Sequence, residues 1–123
     1  MSVGLEFKNQ KDYLLVTVTG MISNYQELLA LIRPIVHAVS QHEAKKVLLN
    51  MLQFKDNTGY LEAVMLSETK QATAMVMKGV RFASIHTPEE GKKRKSFETP
   101  FNIRSLNYKA FSEWSQALDW LAT

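Results

Sequence analysis

The hydrophobic pattern of the first twenty residues has the two-residue period of β-strands. Val3, Leu5 and Phe7 alternate with polar neighbours, and residues 13–20 form a run rich in β-branched side chains that ends at Gly20. The polar segment NQKD lies between the two runs. Two strands joined by a short turn predict an antiparallel β-hairpin.

Beyond Gly20 the apolar residues recur at the spacing of an amphipathic helix. The recurrence extends from Leu28 to Val39 and fades near residue 42. Ser23 and Gln26 have the spacing of a capping box, which predicts that the helix begins there. Pro34 lies inside the pattern, and since proline removes a helical hydrogen bond it predicts a kink or a break into two shorter helices.

The middle of the chain predicts a strand, a helix and another strand. Residues 45–52 are a compact apolar run, typical of a central strand buried on both faces. The stretch 53–60, QFKDNTGY, has the pattern of a strand end, a sharp turn and a helix start. An apolar stripe over residues 61–76 predicts one helix, which Gly79 closes, and residues 80–86 alternate like a strand.

The last third predicts two more helices around a final strand. Thr87 and Pro88 are favoured at a helix start, and we expect a short helix to about residue 97 that Pro100 ends. Residues 101–111 predict a strand, and Ser112 is expected to cap a terminal helix. The whole order predicts an α/β fold: one domain over residues 1–123 with a mixed sheet of about five strands and an N-terminal β-hairpin.

Composition narrows the class of protein further. The chain has 123 residues, of which 46% are hydrophobic and 22% charged, a balance typical of globular proteins. It has no cysteine, which excludes disulfides, thiolate metal sites and cysteine nucleophiles. No signal peptide and no apolar run of membrane-spanning length is recognisable, so we expect a cytoplasmic protein.

The positive charge of the chain is concentrated in one run. The net charge of +3 comes from 15 basic and 12 acidic residues, and Lys92, Lys93, Arg94 and Lys95 supply four of the basic ones. A nucleic-acid binder is expected to carry a broader basic stripe with interleaved aromatic residues, so no nucleic-acid partner is expected. The run is expected to be either a solvated segment or a basic surface that contacts an anionic membrane or an acidic partner.

Four segments in this order resemble the STAS domain, the fold of anti-sigma-factor antagonists such as SpoIIAA. They are the strand YLLVTVTG, the strand KVLLN, the turn DNTG and the strand GVRFASI. The ending resembles a sister group, the SpoIIAA-like proteins, through Ala117, Trp120 and Leu121. That group shares its fold with CRAL-TRIO lipid-binding domains, so the resemblance implies either protein interaction or binding of an apolar ligand.

The turn Asp56-Asn57-Thr58-Gly59 falls where the STAS resemblance places a phosphorylated hydroxyl. Here Asn57 stands at that position and cannot be phosphorylated, while Thr58 is a hydroxyl one residue later. Three hypotheses remain open: a cap and turn, a switch at Thr58, or an unphosphorylated partner-docking or anion-binding surface that extends to Tyr60.

No motif in the sequence indicates catalysis, a metal or a cofactor. The three histidines lack metal-binding spacing, and no nucleophile elbow or phosphate loop occurs. If an apolar ligand binds, we expect a pocket between the sheet and the helices, with Met65, Met75, His86 and Phe97 as candidate contacts.

Two functions of different classes follow from these patterns. The first is a non-enzymatic module that binds an apolar or lipid-like ligand, and it predicts a closed pocket between the sheet and helical residues 58–78 and 88–98. The alternative is a STAS-type regulatory protein-interaction module with a degenerate phosphorylation site, and it predicts an exposed surface at Asp56 to Tyr60. An exposed edge strand over residues 3–8 could also support a homodimer.

Overall fold

The computed structural model describes residues 3–123 and confirms an α/β fold with a mixed five-stranded sheet. The helices and strands, numbered in chain order, are β1 (Val3–Asn9), β2 (Leu14–Ile22), α1 (Tyr25–Gln41), β3 (Lys46–Asp56), α2 (Tyr60–Ser67), α3 (Lys70–Met77), β4 (Arg81–Ile85), α4 (Pro88–Ile103), β5 (Asn107–Phe111) and α5 (Trp114–Ala122). None of the helices in this part of the chain is both long and apolar enough to span a bilayer.

The strands lie in the sheet in their sequence order, β1 to β5. β1 and β2 form the predicted antiparallel hairpin, and the pairs from β2 to β5 are parallel. Consecutive parallel strands require a crossover, and helical segments provide each one. The carboxyl ends of β2, β3 and β4 therefore meet at one end of the sheet, where the turn after β3 begins.

The two faces of the sheet carry unequal layers. On one face, the main core is formed by α1 to α4 and includes Val16, Ile35, Leu49, Met75 and Phe101. On the other, α5 packs with Ala117 and Leu121 on Leu48, Ala83 and Ile85. Because successive side chains of a strand point to opposite faces, the apolar run in β3 supplies both layers.

β3 contains a β-bulge between Asn50 and Gln53, before the segment that ends at Asp56. Thr17 lies opposite Asn50 and Thr19 lies opposite Gln53, so β3 has one more residue than β2 between these pairs. The Asn50 side chain accepts a hydrogen bond from the backbone nitrogen of Leu52 at 3.2 Å. The bulge shifts the alternation, so that Phe54 and Asp56 are buried.

Helix α1 begins one residue later than Ser23 predicts and is not broken at Pro34. Asn24 is the N-cap, its side chain accepts from the backbone nitrogen of Glu27 at 2.9 Å, and Glu27 accepts from that of Ser23 at 2.7 Å. The predicted box of Ser23 and Gln26 is therefore wrong. Pro34 lies within one continuous helix, whose buried face includes Leu31 and Ile35.

The stripe over residues 61–76 forms two helices instead of the predicted one. Thr69 separates them, since its hydroxyl donates to the Leu66 carbonyl at 2.8 Å and accepts from the Ala72 backbone nitrogen at 3.2 Å. The same side chain thus ends α2 and caps α3.

Helix α4 continues through Pro100 to Ile103, so the prediction of a short helix that ends near residue 97 is wrong. The strand predicted over residues 101–111 is also too long, because β5 begins only at Asn107. Phe97, Pro100 and Phe101 are all buried, and this burial offsets the hydrogen bond that proline removes. The predicted cap of α5 at Ser112 is also wrong, because Glu113 occupies the N-cap without a side-chain cap bond.

Candidate functional site

The turn between β3 and α2 is held by the carboxylate of Asp56. Asp56 Oδ1 accepts hydrogen bonds from the backbone nitrogen of Thr58 at 2.7 Å and from its hydroxyl at 2.6 Å. The backbone nitrogen of Asn57 donates to the Ile22 carbonyl at 3.0 Å. Asp56 and Thr58 are both buried, so neither presents its side chain to a partner.

Helix α4 fixes this turn from the other side. The guanidinium of Arg94 forms an ion pair with Asp56 Oδ2, and Lys93 Nζ donates to the Asp56 backbone carbonyl at 3.0 Å. Arg94 also lies over the ring of Phe97, 4.0 Å from its centroid. Burial lowers the pKa of Arg94 from its ordinary value, and the nearby Tyr108 hydroxyl acts in the opposite direction. Within the chain, Asp56 Oδ1 therefore accepts hydrogen bonds from Thr58, and Oδ2 is paired with the Arg94 guanidinium.

The exposed part of the site begins at Asn57 and continues along α2. Gly59 is the N-cap of α2, and its backbone nitrogen donates to Glu62 Oε1 at 2.7 Å. The next two side chains project into solvent, with Tyr60 54% and Leu61 66% exposed, and Met65 is 39% exposed. We call the surface formed by Asn57, Gly59, Tyr60, Leu61 and Met65 the α2 surface.

An apolar cavity of about 100 Å³ lies between the sheet and the helices of the main core. Met75 and Phe97, two of the four candidate pocket residues, line it, and Asp56 and Arg94 add polar groups to its wall. Met65 is on the α2 surface instead. An engineered cavity of roughly 150 Å³ admits benzene, so this smaller volume gives no support to a lipid-like ligand.

His86, the remaining candidate pocket residue, lies in a buried hydrogen-bond chain that ends at Tyr108, which itself lines the cavity. His86 Nε2 is 2.7 Å from Ser84 Oγ, which is 2.7 Å from the hydroxyl of Tyr108. Burial lowers the pKa of His86 to about 4, so the imidazole is neutral at pH 7. Burial also raises the pKa of Tyr108, with opposing contributions from Arg94 and Ser84. All three groups are neutral and serve to satisfy one another.

The basic run divides into one buried and three exposed residues. Lys92, Lys93 and Lys95 are exposed on α4, whereas Arg94 is buried, so its predicted place on a basic surface is wrong. Lys95 Nζ lies 3.9 Å from Glu98 Oε2. The run is an ordered part of a helix, with one residue in the core.

Two features of the site escape the sequence patterns. The first is the Asp56–Arg94 pair. Gly91, Arg94, Phe97 and Phe101 follow one another at spacings of three, three and four, so the helical period does place Arg94 on the buried face. The second is the chain from His86 to Tyr108. Ser84 and His86 lie two residues apart and point to the same face of the sheet, but no local pattern shows that the Tyr108 hydroxyl on β5 reaches Ser84.

No family model matches the sequence, and no curated protein matches it. Among solved structures, an anti-sigma factor antagonist from Mycobacterium paratuberculosis matches with a TM-score of 0.67 at 10% identity, over 99% of this chain and 96% of the other. An uncharacterised protein with a SpoIIAA-like fold from Shewanella loihica matches with a TM-score of 0.52 at 16% identity, over 97% and 93%. The chain therefore has the SpoIIAA-like (STAS) fold.

Proposed function

We propose that this protein is a non-enzymatic, cytoplasmic protein-interaction module of the STAS type, and that it binds a protein partner through the α2 surface. The observation that carries the proposal is the exposure of Tyr60 and Leu61, two large side chains that directly follow a turn fixed by Asp56 and Arg94. The structural similarity to an anti-sigma factor antagonist supports the same class of function.

The rigidity of the turn supports binding because it lowers the cost of ordering the surface. The turn is held by hydrogen bonds to Thr58, the ion pair to Arg94 and the Glu62 bond to Gly59. A surface that is already ordered loses less conformational entropy when a partner docks. Aromatic and aliphatic side chains at the centre of such a surface are the usual energetic anchors of an interface.

The proposed module is not switched by phosphorylation at Thr58. The Thr58 hydroxyl is buried and donates to Asp56 at 2.6 Å. A kinase would have to open the turn to reach it, and the phosphate would then lie against a carboxylate of like charge. We therefore expect a module that binds constitutively, with a degenerate phosphorylation site.

The test compares two substitutions of exposed apolar residues. Leu61→Glu changes the α2 surface, whereas Met77→Glu changes an 82% exposed residue at the end of α3. Partners captured from the source organism by the wild-type protein are purified and titrated against each variant by isothermal calorimetry. We expect Leu61→Glu to weaken binding by about thirtyfold or more, as for an interface hot spot, and Met77→Glu to have little effect.

A purified partner that binds Leu61→Glu and Met77→Glu equally would contradict the proposed surface. The proposal that Thr58 is not a phosphorylation switch is tested by the intact mass of the protein from the same organism, followed by peptide mapping of any added mass. A gain of about 80 daltons located at Thr58, one phosphoryl group, would contradict constitutive binding and indicate a switch.

A further inference from the structure

Among the residues that the structure describes, β1 is an edge strand, and no other strand pairs with its outer backbone side. It pairs with β2 along residues 3–9, and the sheet ends there. An edge strand presents a row of backbone donors and acceptors that another strand can pair with.

The hairpin turn shows which residues of β1 turn those groups outward. The backbone nitrogen of Gln10 donates to the Tyr13 carbonyl at 2.9 Å, so residues 10 and 13 form a hydrogen-bonded pair in the same register as the hairpin. Hydrogen-bonded and non-hydrogen-bonded pairs alternate along an antiparallel ladder. Leu5, Phe7 and Asn9 therefore direct their backbone N–H and C=O groups to the free edge.

Two exposed side chains on β1, two residues apart, carry opposite charges. Glu6 and Lys8 are both exposed, and they point to the same face of the sheet because they are separated by one residue. Their cross-strand neighbours on β2 are Thr17 and Leu15, which are uncharged. Within residues 3–123, neither charge takes part in a salt bridge.

We propose that β1 pairs antiparallel with β1 of a second copy of this chain, with Phe7 opposite Phe7 of the second copy. In this register Glu6 lies opposite Lys8 of the other copy and Lys8 lies opposite its Glu6, so symmetry provides two opposite-charge pairs. The outward groups of Leu5, Phe7 and Asn9 then complete the ladder. Both charge pairs occupy non-hydrogen-bonded positions, where side chains approach most closely.

The neighbouring registers are disfavoured by the same charges. Centring the pair on residue 6 places two glutamates opposite each other, and centring it on residue 8 does so with two lysines. A lysine on an edge strand usually opposes self-pairing, but a glutamate two residues earlier makes this strand self-complementary. The proposed register also covers Phe7, which is 36% exposed on the α1 side of the sheet.

The test is a charge exchange followed by sedimentation equilibrium. We expect the wild-type protein to show a monomer–dimer equilibrium. Lys8→Glu and Glu6→Lys each replace both attractive pairs by repulsive ones, so each variant alone is expected to dimerise at least about tenfold more weakly. In an equimolar mixture of the two variants every pair is again of opposite charge, and dimerisation is expected to return.

Matched controls separate this register from general charge effects. Lys92→Glu and Glu89→Lys make the same changes of charge at exposed positions of α4, and they are expected to leave the equilibrium unchanged. Wild-type protein that is monomeric at the highest attainable concentration would overturn the proposal. A dimer that neither Glu6→Lys nor Lys8→Glu weakens, or a mixture that stays monomeric, would overturn it equally.

Discussion

The ion pair between Asp56 and Arg94 determines how the turn before α2 is held. Both are buried, and the pair joins the turn before α2 to α4. A buried charge is tolerated when its partner is in place, and removing one member leaves the other without compensation. The pair therefore links the shape of the α2 surface to the packing of α4.

Arg94→Met is expected to lower the free energy of unfolding by about 3–5 kcal/mol, because it leaves the Asp56 carboxylate buried and unpaired. Urea denaturation measures the change. Lys92→Met on the same helix is exposed and is expected to change stability by less than about 0.5 kcal/mol. Adding Asp56→Asn to Arg94→Met removes the stranded charge and is expected to recover part of the loss, so equal stability of all variants would contradict this role.

His86 makes stability depend on pH. Burial lowers the pKa of its imidazole from the ordinary value of 6.5 to about 4 in the fold. Below pH 6.5 the unfolded chain binds a proton that the folded chain does not, so stability falls as pH falls. The loss of free energy of unfolding due to His86 is absent above about pH 7 and reaches roughly 3 kcal/mol by pH 4.

His86→Gln isolates that contribution, since glutamine does not titrate. Urea denaturation at a series of pH values is expected to show a shallower loss of stability between pH 6.5 and 4 in His86→Gln than in the wild type. His37→Gln, at an exposed histidine, is expected to retain the wild-type slope. If the two variants had the same pH dependence, the buried His86 would not be its source.

At the scale of a helix, Arg81 at the start of β4 anchors α5. Its Nη2 donates to the Trp120 carbonyl at 2.7 Å, its Nη1 donates to the Thr123 carbonyl at 2.9 Å, and its guanidinium lies 4.2 Å from the Trp120 ring centroid. A cation at a helix C-terminus satisfies carbonyls that have no helical partner. α5 thus depends on one distant arginine as well as on its apolar face.

Arg81→Ala is expected to lower the free energy of unfolding by about 2 kcal/mol, because hydrogen bonds to a charged group and the ring contact are lost together. Arg81→Lys keeps the charge but lacks the planar guanidinium, so it is expected to retain less than half of the stability that Arg81→Ala loses. The readout is urea denaturation with amide exchange of α5, and Arg33→Ala, at an exposed position of α1, is the control. Unchanged exchange in α5 would contradict the anchoring role.

Sequence patterns predict these elements well where the decisive interactions are local, and less well elsewhere. The hairpin and the start of α4 follow from alternation and from Thr87, whose hydroxyl accepts from the Glu90 nitrogen. The continuation of α4 past Pro100 depends on burial against other elements. Likewise the pairing of Arg94 with Asp56 joins residues 38 positions apart in sequence, which no local pattern indicates.

For the whole molecule, the order of the strands predicts a gradient of stability across the sheet. β2, β3 and β4 have a neighbour on each side, and their inner residues include Val16, Val47 and Ala83, which are fully buried. β1 has one neighbour and mostly exposed side chains. Local opening is easiest where few buried contacts must be broken, so the hairpin edge is the part of the sheet that opens first.

Amide hydrogen exchange tests this gradient and distinguishes the two sides of β1. In the monomer, the amides of Glu6 and Lys8 bond to β2 and are expected to exchange more slowly than those of Leu5, Phe7 and Asn9, which face outward. Exchange in β3 and β4 should be slowest of all. If β1 pairs with a second copy, raising the protein concentration slows the outward amides selectively. Equal exchange along β1 at every concentration would contradict the assigned alternation, because it would mean that the strand has no protected side.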